Sequence, residues 1–165
     1  MHASIHLMQR DTKRFWVGVE WGAIATLAMT IVMLLVYLIN PRGMPDPMPL
    51  AITTGIIARV FELERITPWV VALGIVIQLG YGSIWGGLLA WSTHNATIGK
   101  GIAVGLGLWL MMLIFYVPMA GTTAFSLAES GLMWLMTLFF HLIYGVTLGA
   151  GLHRHPEPFI EQGAE

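Results

Sequence analysis

The sequence predicts an all-α membrane protein: a four-helix transmembrane bundle built of two tandem helical hairpins, with an extra amphipathic interfacial helix between spans 1 and 2. Three observations carry that prediction. Hydrophobic residues make up 56% of the chain and charged residues only 10%, and the mean hydropathy is +0.74, which leaves too little polar surface for a soluble globule. Four runs are nearly free of charge, each near the roughly 20 residues a helix needs to cross a hydrocarbon core of about 30 Å. Those runs also align with one another in two pairs.

The first span, about 17–39, carries Glu20 as its sole charged residue. Its apolar run is longer than the core of a signal peptide, and "LINPRGMPDP" after it offers no small-x-small cleavage site, so it is expected to be retained. The loop Asn40–Thr67 opens with Pro41, Pro45, Pro47 and Pro49 and then has no proline until Pro68. Asp46 before Pro47 marks a helix start. Beyond it Ile52, Ile56, Ile57, Val60 and Phe61 recur at helical spacing while Arg59, Glu62 and Arg65 face elsewhere. The pattern predicts a helix over about 48–64 that lies on the outer membrane surface or caps the bundle, either as a structured linker or as a docking surface. Spans 2, 3 and 4, about 68–91, 101–120 and 131–152, contain no Asp, Glu, Lys or Arg.

Arg10, Lys13, Arg14, Lys100 and Arg154 flank the spans on one side, and Arg42, Arg59 and Arg65 on the other. The excess of positive residues places both termini in the cytoplasm, with 1–16 and 153–165 as tails. A net charge of −1 without a Lys/Arg cluster argues against nucleic acid as a partner. The chain has no cysteine, which excludes disulfides, iron–sulfur clusters and thiolate metal sites.

"QLGYGSIWGGLL" (Gln78–Leu89) aligns without gaps on "HLIYGVTLGAGL" (His141–Leu152), and "GAIATLAMTIVMLLVY" (Gly22–Tyr37) on "GIAVGLGLWLMMLIFY" (Gly101–Tyr116). All 4 tyrosines of the chain fall into the matched pairs Tyr37/Tyr116 and Tyr81/Tyr144. Two spans per unit make both copies enter the membrane in the same sense, a parallel repeat about an axis along the membrane normal. The first hairpin holds sixteen extra residues, all within the loop Asn40–Thr67.

Helices in lipid associate through close backbone approach at small residues and through interhelical hydrogen bonds. Gly18 and Gly22 in the first span, Gly82 and Gly86 in the second, Gly101 and Gly105 in the third, and Gly145 and Gly149 in the fourth recur every four residues and form packing strips. Gly101, Gly105 and Gly107 lie inside a span, so they are packing glycines and no phosphate cradle. Tryptophans cluster toward span ends, as an interfacial belt does.

The candidate polar site comprises His141, Gln78, Tyr144, Tyr81 and Glu20. His141 and Gln78 are repeat equivalents near mid-span, each four residues before a glycine strip and therefore on its face. The packing role expected there is an interhelical hydrogen bond; the functional roles are a proton relay, a haem ligand or a quinone contact with Tyr144 one turn away. A haem held between two histidines of this chain is disfavoured, since no second histidine lies in a span. Glu20 is expected to form an interfacial ion pair with Lys100 or Arg154, the alternative being a coupling carboxylate for transport. Glu129, before the fourth span, reads as a helix-start residue. His2, His6, His153 and His155 share one side and are a weak copper or zinc candidate; solvated tails are the simpler reading. The 11 methionines read as gap-filling core residues. No nucleotide loop, paired mid-span carboxylates or nucleophile motif is present.

"GAIATLAMTIVM" (Gly22–Met33), "VPMAG" (Val117–Gly121) and "HLIYGVTLG" (His141–Gly149) together resemble a family of small bacterial four-span membrane proteins known only as a domain of unknown function. The likeness covers about residues 18 to 152. It implies the bacterial inner membrane as location and carries no catalytic residues over. "VGVEWGAIA" (Val17–Ala25) is similar to the first-span glutamate region of small multidrug transporters, but those chains are shorter and lack the proline-rich loop. The sequence therefore points to a non-catalytic accessory or structural subunit of a larger membrane complex, of the electron-transfer kind, contacting lipid and either a membrane-protein partner or further copies of itself. The alternatives are a small transporter or channel using Glu20, Gln78 and His141, and a quinone- or haem-contacting subunit.

Overall fold

A computed structural model describes residues 2–39, 48–62, 67–93, 95–119 and 131–155, with side chains described from Thr12, Thr53 and Trp134 onward in the first, second and last helices. Glu129 lies outside the described residues, as do the side chains of His2 and His6. The described residues form five helices: α1 (His2–Ile39), α2 (Met48–Val60), α3 (Pro68–Ser92), α4 (Ile98–Met119) and α5 (Gly131–His153). Four of them contain stretches long and apolar enough to cross a membrane, Thr12–Ile39, Pro68–Ser92, Ile98–Met119 and Trp134–His153. α1 continues back to His2, so the segment expected as a tail before Val17 is helical.

Local chemistry sets the helix ends. Thr67 is extended and Pro68 opens α3, where its missing N–H and fixed φ suit the first turn. The Thr97 hydroxyl accepts from the Lys100 backbone N–H at 3.3 Å and starts α4. α2 stops where Glu62 takes a left-handed φ of 53°, a conformation common just past helix ends. At the end of α3 the Arg14 guanidinium of α1 donates to the carbonyls of Ala90 (3.0 Å) and Thr93, satisfying oxygens that a helix terminus leaves without intrahelical partners.

α4 is interrupted by a π-helical turn, Met112–Tyr116, in which the Val117 N–H reaches the Met112 carbonyl. Pro118 follows directly. A proline in a helix interior lacks an N–H and crowds the carbonyl four residues back, so widening the preceding turn accommodates it.

α1 packs along α3 and α4 along α5, giving the two hairpins, and α1 and α5 form the seam between them. The glycine strips are the contact lines. A Cβ at Gly22 would stand closer than 3.0 Å to the backbone of Gly82 and Ser83, and one at its repeat equivalent Gly101 would meet Gly145 and Gly149 in the same way. Gly86 meets the Gly18 carbonyl, and its equivalent Gly149 meets the carbonyl of Thr97, which is the equivalent of Gly18. Both hairpins thus cross at the same repeated positions, where only a missing side chain allows the backbones to approach.

The largest fully buried side chains include Met33 of α1 and Phe140, Tyr144 and Leu148 of α5, so the core lies mainly along the α1–α5 seam. Leu27, Ile31, Leu34 and Leu35 on α1 and Ile75, Val76 and Ile84 on α3 are exposed apolar residues, as lipid-facing surfaces require. α2, which occupies the extra segment of the first hairpin, packs on α3 and buries Thr54 and Ile57. Val60 and Phe61, on the apolar face the sequence marks, are exposed, and Phe61 sits edge-on to Trp69 at 6.3 Å.

Candidate functional site

The repeat symmetry of the hairpins fails at one seam. α1 and α5 pack closely, whereas the equivalent pair, α4 and α3, barely touch. Where they separate, a cavity of about 180 Å³ remains, partly open at the surface. α3 contributes Ile77, Gln78 and Tyr81; α4 contributes Leu108, Met112 and Tyr116; α5 contributes His141; α1 contributes Met29; and α2 closes one wall with Thr53, Ile56 and Ile57. The lining is almost wholly apolar, with polar atoms at only a few points. Such a combination is the usual make-up of a small-molecule site.

The helical register explains the convergence. Gln78 and Tyr81 lie three apart on α3 and so share a face. On α4 the residues Leu108, Met112 and Tyr116 follow at intervals of four, and the π turn carries the last two. The Tyr81 and Tyr116 rings meet edge to face with centroids 5.5 Å apart. The Tyr81 hydroxyl donates to the Met111 sulfur at 3.2 Å, a weak acceptor.

Gln78 makes the interhelical bond expected of it: its amide nitrogen lies 3.3 Å from the Thr30 hydroxyl on α1. A second, smaller cavity of about 120 Å³, lined by Leu27, Thr30, Met33 and Ile75 among others, flanks Gln78 from the α1 side. His141 departs from the expectation, for its Nδ1 bonds the Thr137 carbonyl of its own helix at 2.7 Å and its ring bonds no other helix among the described residues. That carbonyl only accepts, so Nδ1 carries the proton. The Thr137 hydroxyl in turn receives the Trp109 indole N–H at 3.2 Å.

Of the five residues predicted as a polar site, the structure gathers His141, Gln78 and Tyr81 around the main cavity and leaves two elsewhere. Tyr144 is 1% exposed in the core, its hydroxyl donating to the Gly82 carbonyl of α3 at 2.7 Å, so it locks the two hairpins together and does not reach the cavity. Glu20 is exposed on α1. The ion pair expected of it is not formed among the described residues: Lys100 donates to the Asn95 carbonyl at 2.7 Å, and Arg154 is exposed. His153 and His155 are exposed too, the latter with its ring 5.9 Å from that of Trp21.

Sequence reasoning missed Tyr116 and the α2 residues. Tyr116 was marked by the repeat as the partner of Tyr37, but only the π turn and the open seam bring it to the cavity. Nothing in the periodicity of α2 indicates that Ile56 and Ile57 face a cavity.

The fold and the pocket together define a multi-pass helical membrane protein. Residues 12–158 match the family of unknown function DUF6789, and the chain belongs to that family. No curated protein and no solved structure matches the sequence.

Proposed function

We propose that this membrane protein binds one small lipid-soluble molecule in the cavity between α2, α3, α4 and α5, and holds it without transforming it, as an accessory subunit beside a larger membrane protein. The observation that carries this reading is the grouping of Gln78, Tyr81, Tyr116 and His141 around an otherwise apolar space of about 180 Å³. An apolar cavity of roughly 150 Å³ is enough for a benzene molecule, so this one accommodates a single substituted ring. A porphyrin is far larger, which counts against haem even though His141 has the proton on Nδ1 that an axial ligand commonly has. The transport reading loses its carboxylate, because Glu20 does not line the cavity.

Equilibrium dialysis of the detergent-solubilised chain against 2,3-dimethylphenol tests the proposal. Saturable one-to-one uptake above that of empty micelles is expected, and Ile77→Trp, which fills the cavity from a lining position that is 46% exposed, is expected to remove it. Uptake that never saturates, or that Ile77→Trp leaves intact, refutes the pocket.

A further inference from the structure

We propose that the molecule the pocket takes is a ring bearing hydroxyl groups, a hydroquinol, held through its O–H donors by His141 Nε2 and Gln78 Oε1. This rests on the pocket reading above and names its ligand class. Two hydrogen-bond chains fix which atoms are on offer. The Thr30 hydroxyl donates to the Thr26 carbonyl at 2.8 Å, so its oxygen can only receive from Gln78. Gln78 must therefore direct an N–H toward Thr30, which turns its Oε1 away as an acceptor. On the other wall the Thr137 carbonyl holds the proton of His141 on Nδ1, and the neutral ring then presents Nε2 as a lone pair.

Neither Nε2 of His141 nor Oε1 of Gln78 has a protein partner among the described residues, and neither is sealed in the packing. Both residues line the same apolar cavity, where an unmatched acceptor is costly. A ligand that donates relieves both acceptors. A quinone, which only accepts, leaves both acceptors bare; the Tyr81 proton is already directed to Met111, and the donors left to it are the Tyr116 hydroxyl and the second Gln78 N–H. The two acceptors also occupy equivalent positions of the repeat, one on α3 and one on α5, as befits a ring hydroxylated at opposite ends.

Three probes of nearly one shape test the assignment: 2,3-dimethylhydroquinone under anaerobic reducing conditions, its di-O-methyl ether, and 2,3-dimethyl-1,4-benzoquinone. Each is titrated calorimetrically into the full chain in detergent, against a micelle blank. The hydroquinone is expected to bind at least about tenfold more tightly than the other two, the scale of one or two lost hydrogen bonds. His141→Leu is expected to shrink that preference to about threefold, the share of the remaining Gln78 acceptor, while His141→Gln, which restores the amide present at Gln78, retains it. Equal affinity of the three probes for the unaltered protein overturns the proposal, as does a preference that His141→Leu leaves undiminished. If the three bind equally and Ile77→Trp blocks them all, the pocket stands and the acceptor assignment falls. If none binds, both fall.

Discussion

The seam between α1 and α5 and the seam between α3 and α4 are repeat equivalents, yet one is closed and the other holds a cavity. The residues at one end explain the difference. On the closed side the Trp21 ring lies directly on Gly151. At the equivalent positions stand Lys100, whose ammonium turns to the Asn95 carbonyl, and the exposed Leu88, a pair with no reason to close. The sixteen extra residues of the first hairpin supply α2, which packs on α3 at the open side only. The positions the two copies share carry the packing, and the positions where they differ leave a cavity at one seam.

The largest effect is expected where the copies still agree. Gly22→Leu and Gly101→Leu each drive a side chain into the backbone of the facing helix, which cannot give as a side chain can. Each should cost more than the roughly 1–3 kcal/mol of ordinary overpacking and abolish a monodisperse elution profile in mild detergent. Equal damage from the two variants supports equivalent hairpins; damage from only one breaks the comparison. Next in size is Gly151→Leu, where the obstacle is the Trp21 ring. It should lower stability by about 1–3 kcal/mol in thermal unfolding, whereas Leu88→Ala at the equivalent position should change it by less than about 0.5 kcal/mol.

The bundle was largely legible in the sequence for a physical reason: lipid demands long uncharged helices, and helices in lipid demand small residues where they cross. Both demands are written residue by residue, so Gly22, Gly82, Gly101 and Gly145 mark their own contacts. The candidate site was legible in part. Gln78 and His141 stood out as polar groups in apolar spans, and Tyr81 through its repeat partner. Tyr144 misled, because the repeat that ties it to Tyr81 does not say which of the two equivalent seams stays open. That depends on Trp21, Gly151 and α2, which act between helices distant in sequence. The Glu20 ion pair failed on a similar point, for nearness to a membrane surface does not fix which way a side chain turns.

A smaller effect separates the two repeat-equivalent tyrosines. Tyr144→Phe deletes a buried hydrogen bond to Gly82 and should cost about 1 kcal/mol in the same unfolding measurement. Tyr81→Phe loses only a contact to sulfur beside the cavity and should cost less. A larger loss for Tyr81→Phe would mean that the open seam, too, is part of the structural core.

A small change in stability is expected at Pro118 too, and it sharpens the comparison most. The π turn Met112–Tyr116 has no counterpart in α1, where the equivalent stretch Met33–Tyr37 is regular helix and the equivalent of Pro118 is Ile39, the last residue of α1. Alanine at 118 restores a backbone N–H and removes the ring that the widened turn accommodates. If the turn then reverts to ordinary α-helix, residues on its two sides rotate relative to each other by about 100°, one residue's share of a helical turn. Tyr116 would leave the cavity while the α4–α5 glycine contacts, a full turn or more away at Gly101 and Gly105, stay in place. Stability should therefore move by less than about 1 kcal/mol, while uptake of 2,3-dimethylphenol falls several-fold. Unchanged uptake would mean that the π turn merely accommodates the proline and that the open seam owes its shape to α2, Lys100 and Leu88 alone.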